Sequence, residues 1–158
     1  MSRFRDDNRT KYDFLDDVLV TCPRCGRPAH IRPVPDADPA AARPHFEPRR
    51  LACTACSFTV AADGRWVGFS RAPVHRARDP YLGLPLLLQL PTRHGVLWAH
   101  NHEQLSVLER YVRAGLREQP VHSAKSMVVD LPRWLKLAAN REENLRAIAR
   151  IRKRALGL

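Results

Sequence analysis

The chain has 158 residues, 27 Lys and Arg against 16 Asp and Glu, a formal net charge of +11 and 44% hydrophobic residues. This length suits one domain, or one domain with a small appended module, and the apolar fraction excludes global disorder. The longest apolar run, Leu82 to Leu90, is broken by Gly83, Pro85 and Gln89, which excludes a transmembrane helix. The opening MSRFRDDNRTKYDF lacks the apolar stretch of a signal peptide, so a soluble, cytoplasmic, basic protein is expected.

Residues 1–17 read as a polar N-terminal arm, with Phe4, Tyr12 and Phe14 as docking points. Val18 to Thr21 is a short β run leading into Cys22-Pro23-Arg24-Cys25, and Ala29 to Arg32 is the return strand. Residues 33–48 carry five prolines, which remove ladder donors and restrict their neighbours, so this stretch reads as a loop-like insertion. Arg49 to Ala52 approaches Cys53-Thr54-Ala55-Cys56 as a strand, and Ser57 to Ala61 leaves it as one. Asp63-Gly64 signals a further hairpin, with Arg65-Trp66-Val67 beyond it. Leu84 to Leu90 and Val96 to His100 form another predicted hairpin, joined through Pro91 to Gly95.

The last third reads as helical. Asn101 and Gln104 form a capping box, and Leu105, Leu108, Val112 and Leu116 carry a helix to about Glu118. Asp130 and Pro132 open a short helix. Asn140 and Glu143 open a final one, turned inward by Leu145, Ile148 and Ile151. The expected fold is a small α+β protein: a four-cysteine unit over 18–67, then a β-hairpin and about three helices over 68–158.

All four cysteines fall in two C-x2-C pairs. In a secreted chain they would form two disulfides, but nothing here reads as secretory. A redox pair needs a reactive cysteine opening a helix. Gly26 and Pro28 follow Cys25, and a strand follows Cys56, so neither pair has that setting. One tetrahedral Zn2+ site with Cys22, Cys25, Cys53 and Cys56 as ligands is the expectation, structural because four thiolates leave no open position. Such a site would lower the net charge to about +9.

The first cysteine turn with Gly26, the second turn, Asp63-Gly64 and Trp66 together resemble a zinc ribbon of the transcription factor IIB type. The resemblance covers residues 18–67. It departs at Ser57, which stands where Gly is common, and at the Pro-rich insertion. Ribbon, hairpin and helical tail in this order are also similar to small bacterial zinc-ribbon-containing proteins of unassigned role. The resemblance implies binding to nucleic acid or to the transcription or replication machinery.

The charge distribution bears on that implication. Residues 101–158 carry twelve cations against six anions, over half of the excess. Arg146, Arg150 and Arg154 recur along the last predicted helix with Arg152 and Lys153 beside them. Arg110, Arg113 and Arg117 recur along the preceding helix. Such rows can meet phosphates with bidentate geometry. Arg24, Arg27, Arg49 and Arg50 offer a second basic patch around the cysteine turns. A solvated helix face, or the Arg enrichment of a GC-rich genome, would produce the same rows. The alternative function is a protein-interaction adaptor in which zinc only stabilises the fold. A metal-dependent nuclease using His100 and His102 is a remote alternative, because such sites spread their residues over strand, loop and helix. Surface histidines at a helix start are the expected reading, and no catalytic constellation is evident.

Overall fold

A computed structural model describes residues 2–35, 44–64, 67–68, 75–118 and 126–157. It contains Arg3–Arg5 (β1), Val18–Thr21 (β2), Pro28–Pro33 (β3), Arg49–Ala52 (β4), Thr59–Ala62 (β5), Leu88–Thr92 (β6) and Gly95–Ala99 (β7). These are followed by His102–Arg113 (α1), Leu116–Glu118 (β8), Arg133–Lys136 (α2) and Arg141–Ala155 (α3). The chain is therefore mixed α and β. Strands β2-β3-β4-β5 form an antiparallel sheet in sequence order, β6 pairs with β7 as a hairpin, and β1 pairs with β8 in parallel.

Two apolar clusters organise the molecule, and β2 serves both. Successive side chains of a strand point to opposite faces. Val18 and Val20 accordingly pack with Ala29, Ile31 and Leu51 inside the sheet, while Leu19 packs with the helical cluster of Leu88, Leu97, Leu105, Val112, Ile148 and Ile151. Backbone bonds follow the same division. The Leu19 N–H donates to the His100 carbonyl at 2.8 Å, and the Leu87 N–H donates to the Leu19 carbonyl at 3.1 Å.

Asn101 caps α1 as its sequence predicts, accepting from the Gln104 N–H at 2.9 Å. Its amide nitrogen also donates to the carbonyls of Phe14 and Asp17, at 2.9 and 3.0 Å, so one side chain ties α1 to the approach to β2.

Several expectations need correction. The helix expected to reach Glu118 ends at Arg113, and Ala114 turns to extended backbone with ψ 130°. Leu116–Glu118 then pairs with Arg3–Arg5, a tertiary partner that competes with helical continuation. Of the three expected docking points of the N-terminal arm, Phe4 and Phe14 are buried as expected, and Phe4 meets Tyr111 edge-on at 5.3 Å. Tyr12 stays exposed at 39%. Asn140 does not cap α3; its side chain donates to the Trp134 carbonyl at 3.1 Å. Pro132, with no side-chain cap, precedes α2 where Asp130 was expected to cap. The Leu84–Leu90 run is a strand only from Leu88, and its earlier part is held by isolated bridges from Val20 to Leu86 and Arg78 to Pro85.

Gly64 adopts φ +72°, and the Glu47 carbonyl oxygen lies 2.2 Å from where its Cβ would stand. Only glycine lets the chain leaving β5 pass so close to residues 44–48. Arg65 and Trp66 of the expected third strand, and Pro39 of the Pro-rich insertion, lie outside the described residues.

Candidate metal centre

Each cysteine pair sits where two antiparallel strands meet, the first between β2 and β3 and the second between β4 and β5. The two turns are built alike. The Cys22 N–H donates to the Arg27 carbonyl at 2.8 Å and the Gly26 N–H to the Cys22 carbonyl at 2.9 Å. The Cys53 N–H donates to the Phe58 carbonyl and the Ser57 N–H to the Cys53 carbonyl, both at 2.9 Å. The residue after each second cysteine is left-handed, Gly26 at φ +76° and Ser57 at φ +62°. Glycine takes that conformation at little cost, whereas a side chain does not. The Ser57 departure noted in the sequence thus falls on the one position of the turn where it introduces strain.

Strand pairing between β3 and β4 brings the two turns together. The four cysteine sulfurs lie within 4.8 Å of one another. Cys22 Sγ is 3.7 Å from Cys56 Sγ, and Cys25 Sγ is 3.6 Å from Cys53 Sγ. These separations far exceed the roughly 2 Å of a disulfide, and all four cysteines are free. A tetrahedron of sulfurs about 2.3 Å from a central ion has edges of about 3.8 Å, so the spacing suits one metal ion. The electrostatics of the donor set suit a cation as well. Burial raises the Cys22 thiol, but the N–H groups of Cys25 and Arg24 outweigh it and hold its pKa down to about 7. At Cys56 the Phe58 N–H acts downward, yet burial and the three neighbouring sulfurs push the pKa up to about 11. As thiolates the four would repel one another, so a positive ion among them would stabilise the deprotonated set.

The structure divides the candidate basic contacts. Arg24, Arg27 and Arg50 are exposed around the cysteine turns. Arg49 is not available as a contact: it is 1% exposed, donates to the Leu15 carbonyl and lies over the Tyr81 ring at 4.7 Å. It shares the inward face of β4 with Leu51, a parity readable from strand alternation. Arg117 also turns inward, donating to the Tyr111 carbonyl at 3.0 Å and the Lys136 carbonyl at 2.6 Å. Arg113 and Arg152 both pair with Glu109, at 2.8 and 2.6 Å, and hold its carboxyl below the usual range against the opposing effect of burial. Arg146, Arg150, Lys153 and Arg154 remain exposed on the outer face of α3, and Arg110 is exposed on α1. Arg146 reaches Glu142 at 3.5 Å, a pair open to solvent on both sides.

The two histidines flanking Asn101 are not both at the surface. His100 is 1% exposed, and its Nδ1 lies 3.0 Å from Gln104 Oε1. Burial pushes its pKa down to about 4. His102 is exposed and lines a different depression, beside Asp17 and His30. His30 itself bonds Asp17 at 2.8 Å. Sequence reasoning missed the grouping of Trp98, His100 and Gln104. Its signal was the two-residue step from Trp98 to His100 along an extended segment, and the four-residue step to Gln104 into α1.

Among the described residues, no helix is long and apolar enough to cross a membrane. Comparison with family models, with curated proteins and with solved structures finds no match to this chain.

Proposed function

We propose that this chain is a structural-zinc protein that binds nucleic acid, or the transcription or replication machinery assembled on it, through the outer face of α3. The observation that carries this reading is the sorting of arginines. Arg49 and Arg117 are consumed by backbone carbonyls and Arg152 by Glu109, while Arg150, Lys153 and Arg154 stay exposed on one helix face next to Arg146. A face of guanidinium and ammonium groups free of strong internal pairing suits a row of phosphates.

The all-sulfur donor set and its spacing favour zinc, and the paired hairpin turns support a ribbon of the transcription factor IIB type over residues 18–67. Zinc there would neutralise the thiolates and lock the two turns together; Cys22, Cys25, Cys53 and Cys56 would hold it. Metal analysis then returns about one zinc per chain. The reading is non-enzymatic, and the separation of buried His100 from exposed His102 supports it over a nuclease.

Salt titration of binding to duplex, single-stranded DNA and RNA tests the function. Four contacts predict a log–log slope of about −3 to −4. The combined variant Arg146→Gln, Arg150→Gln, Lys153→Gln and Arg154→Gln should abolish the salt-sensitive part. Absence of binding to all three at low salt would sink the proposal. The second reading is the protein-interaction adaptor, for which Leu116, Leu137 and Leu156, exposed at 52%, 42% and 71%, offer apolar contacts. Capture of a partner that survives nuclease treatment would select it.

A further inference from the structure

We infer that the cavity between β7, α1 and residues 127–135 binds a small, flat, apolar molecule carrying one anionic group. The cavity has a volume of about 410 Å³, within the range of small-molecule sites and far larger than the voids of a packed interior. It is remote in composition from the outer face of α3: none of the α3 cations lines it.

Three features define the occupant. The walls are apolar, with Val96, Trp98, Leu108, Met127 and Leu135 among them. Trp98 and His100 meet with ring centroids 4.9 Å apart at 74°, so an aromatic surface borders the space and suits a planar body. The floor is polar but nearly inaccessible: His100 is 1% exposed and Gln104 3%. The Gln104 amide nitrogen is spent on the Met127 sulfur at 3.3 Å, a weak acceptor that a ligand oxygen would outcompete. Burial keeps the imidazole neutral near pH 7, so the floor selects by hydrogen bonding rather than by charge.

The rim supplies the charge. Lys11, Arg78 and Asp130 line it, two cations against one carboxylate. Arg78 is exposed and spends one guanidinium N–H on the Gly83 carbonyl at 2.8 Å, one of its five donors. An apolar body in the cavity with a carboxylate or phosphate at the rim satisfies walls, floor and rim together. An aromatic carboxylate and an aromatic phosphate monoester share this chemistry.

The test uses the full metal-replete chain with 2-naphthoate, 2-naphthyl phosphate and neutral 2-naphthalenemethanol, read by tryptophan fluorescence and amide NMR. At least one anion should bind saturably with Kd below about 1 mM, moving the Gln104 side-chain amide and Met127. The stronger of the two anions identifies the source. The neutral analogue should bind about tenfold more weakly, the loss expected for one charge-assisted hydrogen bond. Arg78→Gln, an exposed change, should erase most of that difference, and Val96→Phe should weaken every ligand by occupying the wall. The combined α3 variant should leave naphthoate binding unchanged, which separates this inference from nucleic-acid binding. No saturable binding of either anion up to about 5 mM, equal affinity for the neutral analogue, or shifts confined to α3 would overturn it.

Discussion

Among the described residues, the helical cluster buries nineteen residues, including Phe4, Phe14, Tyr111 and Met127, whereas the sheet cluster buries ten, two of them cysteines. A large apolar core can hold itself together. One as small as the sheet's falls in the size range where natural folds add a metal or a disulfide. The sheet also ends in a left-handed serine and two turns whose sulfurs approach one another to 3.6 and 3.7 Å. The two halves are therefore built differently: packing in one, a smaller core with a candidate metal clamp at the turns in the other. They meet along β2 and at Asn101.

The most drastic way to break this comparison is at the clamp. Cys53→Ser should abolish metal retention and the dispersed amide signals of β2 to β5, while those of α1 and α3 largely persist. Uniform loss across both halves would mean that the packing of Leu19 and the bonds of Asn101 make them one cooperative unit. Ile148→Ala acts on the other half. It removes a buried side chain, 1% exposed, from the helical core and should cost about 2–5 kcal/mol in denaturant unfolding without changing metal content.

Acid should find the helical half through His100. Its folded pKa lies near 4, below the ordinary 6.5 of an exposed imidazole. The unfolded chain therefore takes up the proton first. The contribution is intact above about pH 6.5 and is lost as pH falls toward 4, amounting to about 3 kcal/mol. His100→Gln should flatten that part of the stability–pH profile relative to wild type. Asn101→Ala removes a cap and two bonds to the approach to β2, and should cost about 2 kcal/mol. Its sharper signature is a separation of the two unfolding transitions. The smallest effect has the opposite sign: Ser57→Gly should raise stability by about 0.5–1 kcal/mol by relieving the positive φ, with a higher melting temperature of the metal-bound form.

What could be read beforehand follows the range of the interactions. The cysteine turns, the strands beside them and the Asn101 cap depend on residues within a few positions, and their spacing is visible in the chain. Leu116 fits the apolar spacing of α1 equally well, but Ser2 to Arg5 claim it for a strand, and nothing local announces that partner. Asn140 and Glu143 have the pattern of a cap, yet the Trp134 carbonyl takes the asparagine. The charge of Arg49 suggests an outward contact, although its parity with Leu51 already points inward. Likewise, exposed and internally paired arginines look identical in a sequence. Only the positions of Glu109, Tyr111 and Lys136 tell them apart.

The parallel pairing of β1 with β8 also sets an order of assembly. The sheet of β2 to β5 joins neighbours in sequence and can close as soon as residue 62 has left a ribosome, with its thiols ready for metal. Ser2 Oγ instead bonds the Arg113 carbonyl, 111 residues away. The first strand must wait, unpaired, until most of the chain has been synthesised, so Phe4 is the early residue that is buried late. During that interval its ring and the open edge of β1 are exposed to whatever chaperones or neighbouring nascent chains are at hand.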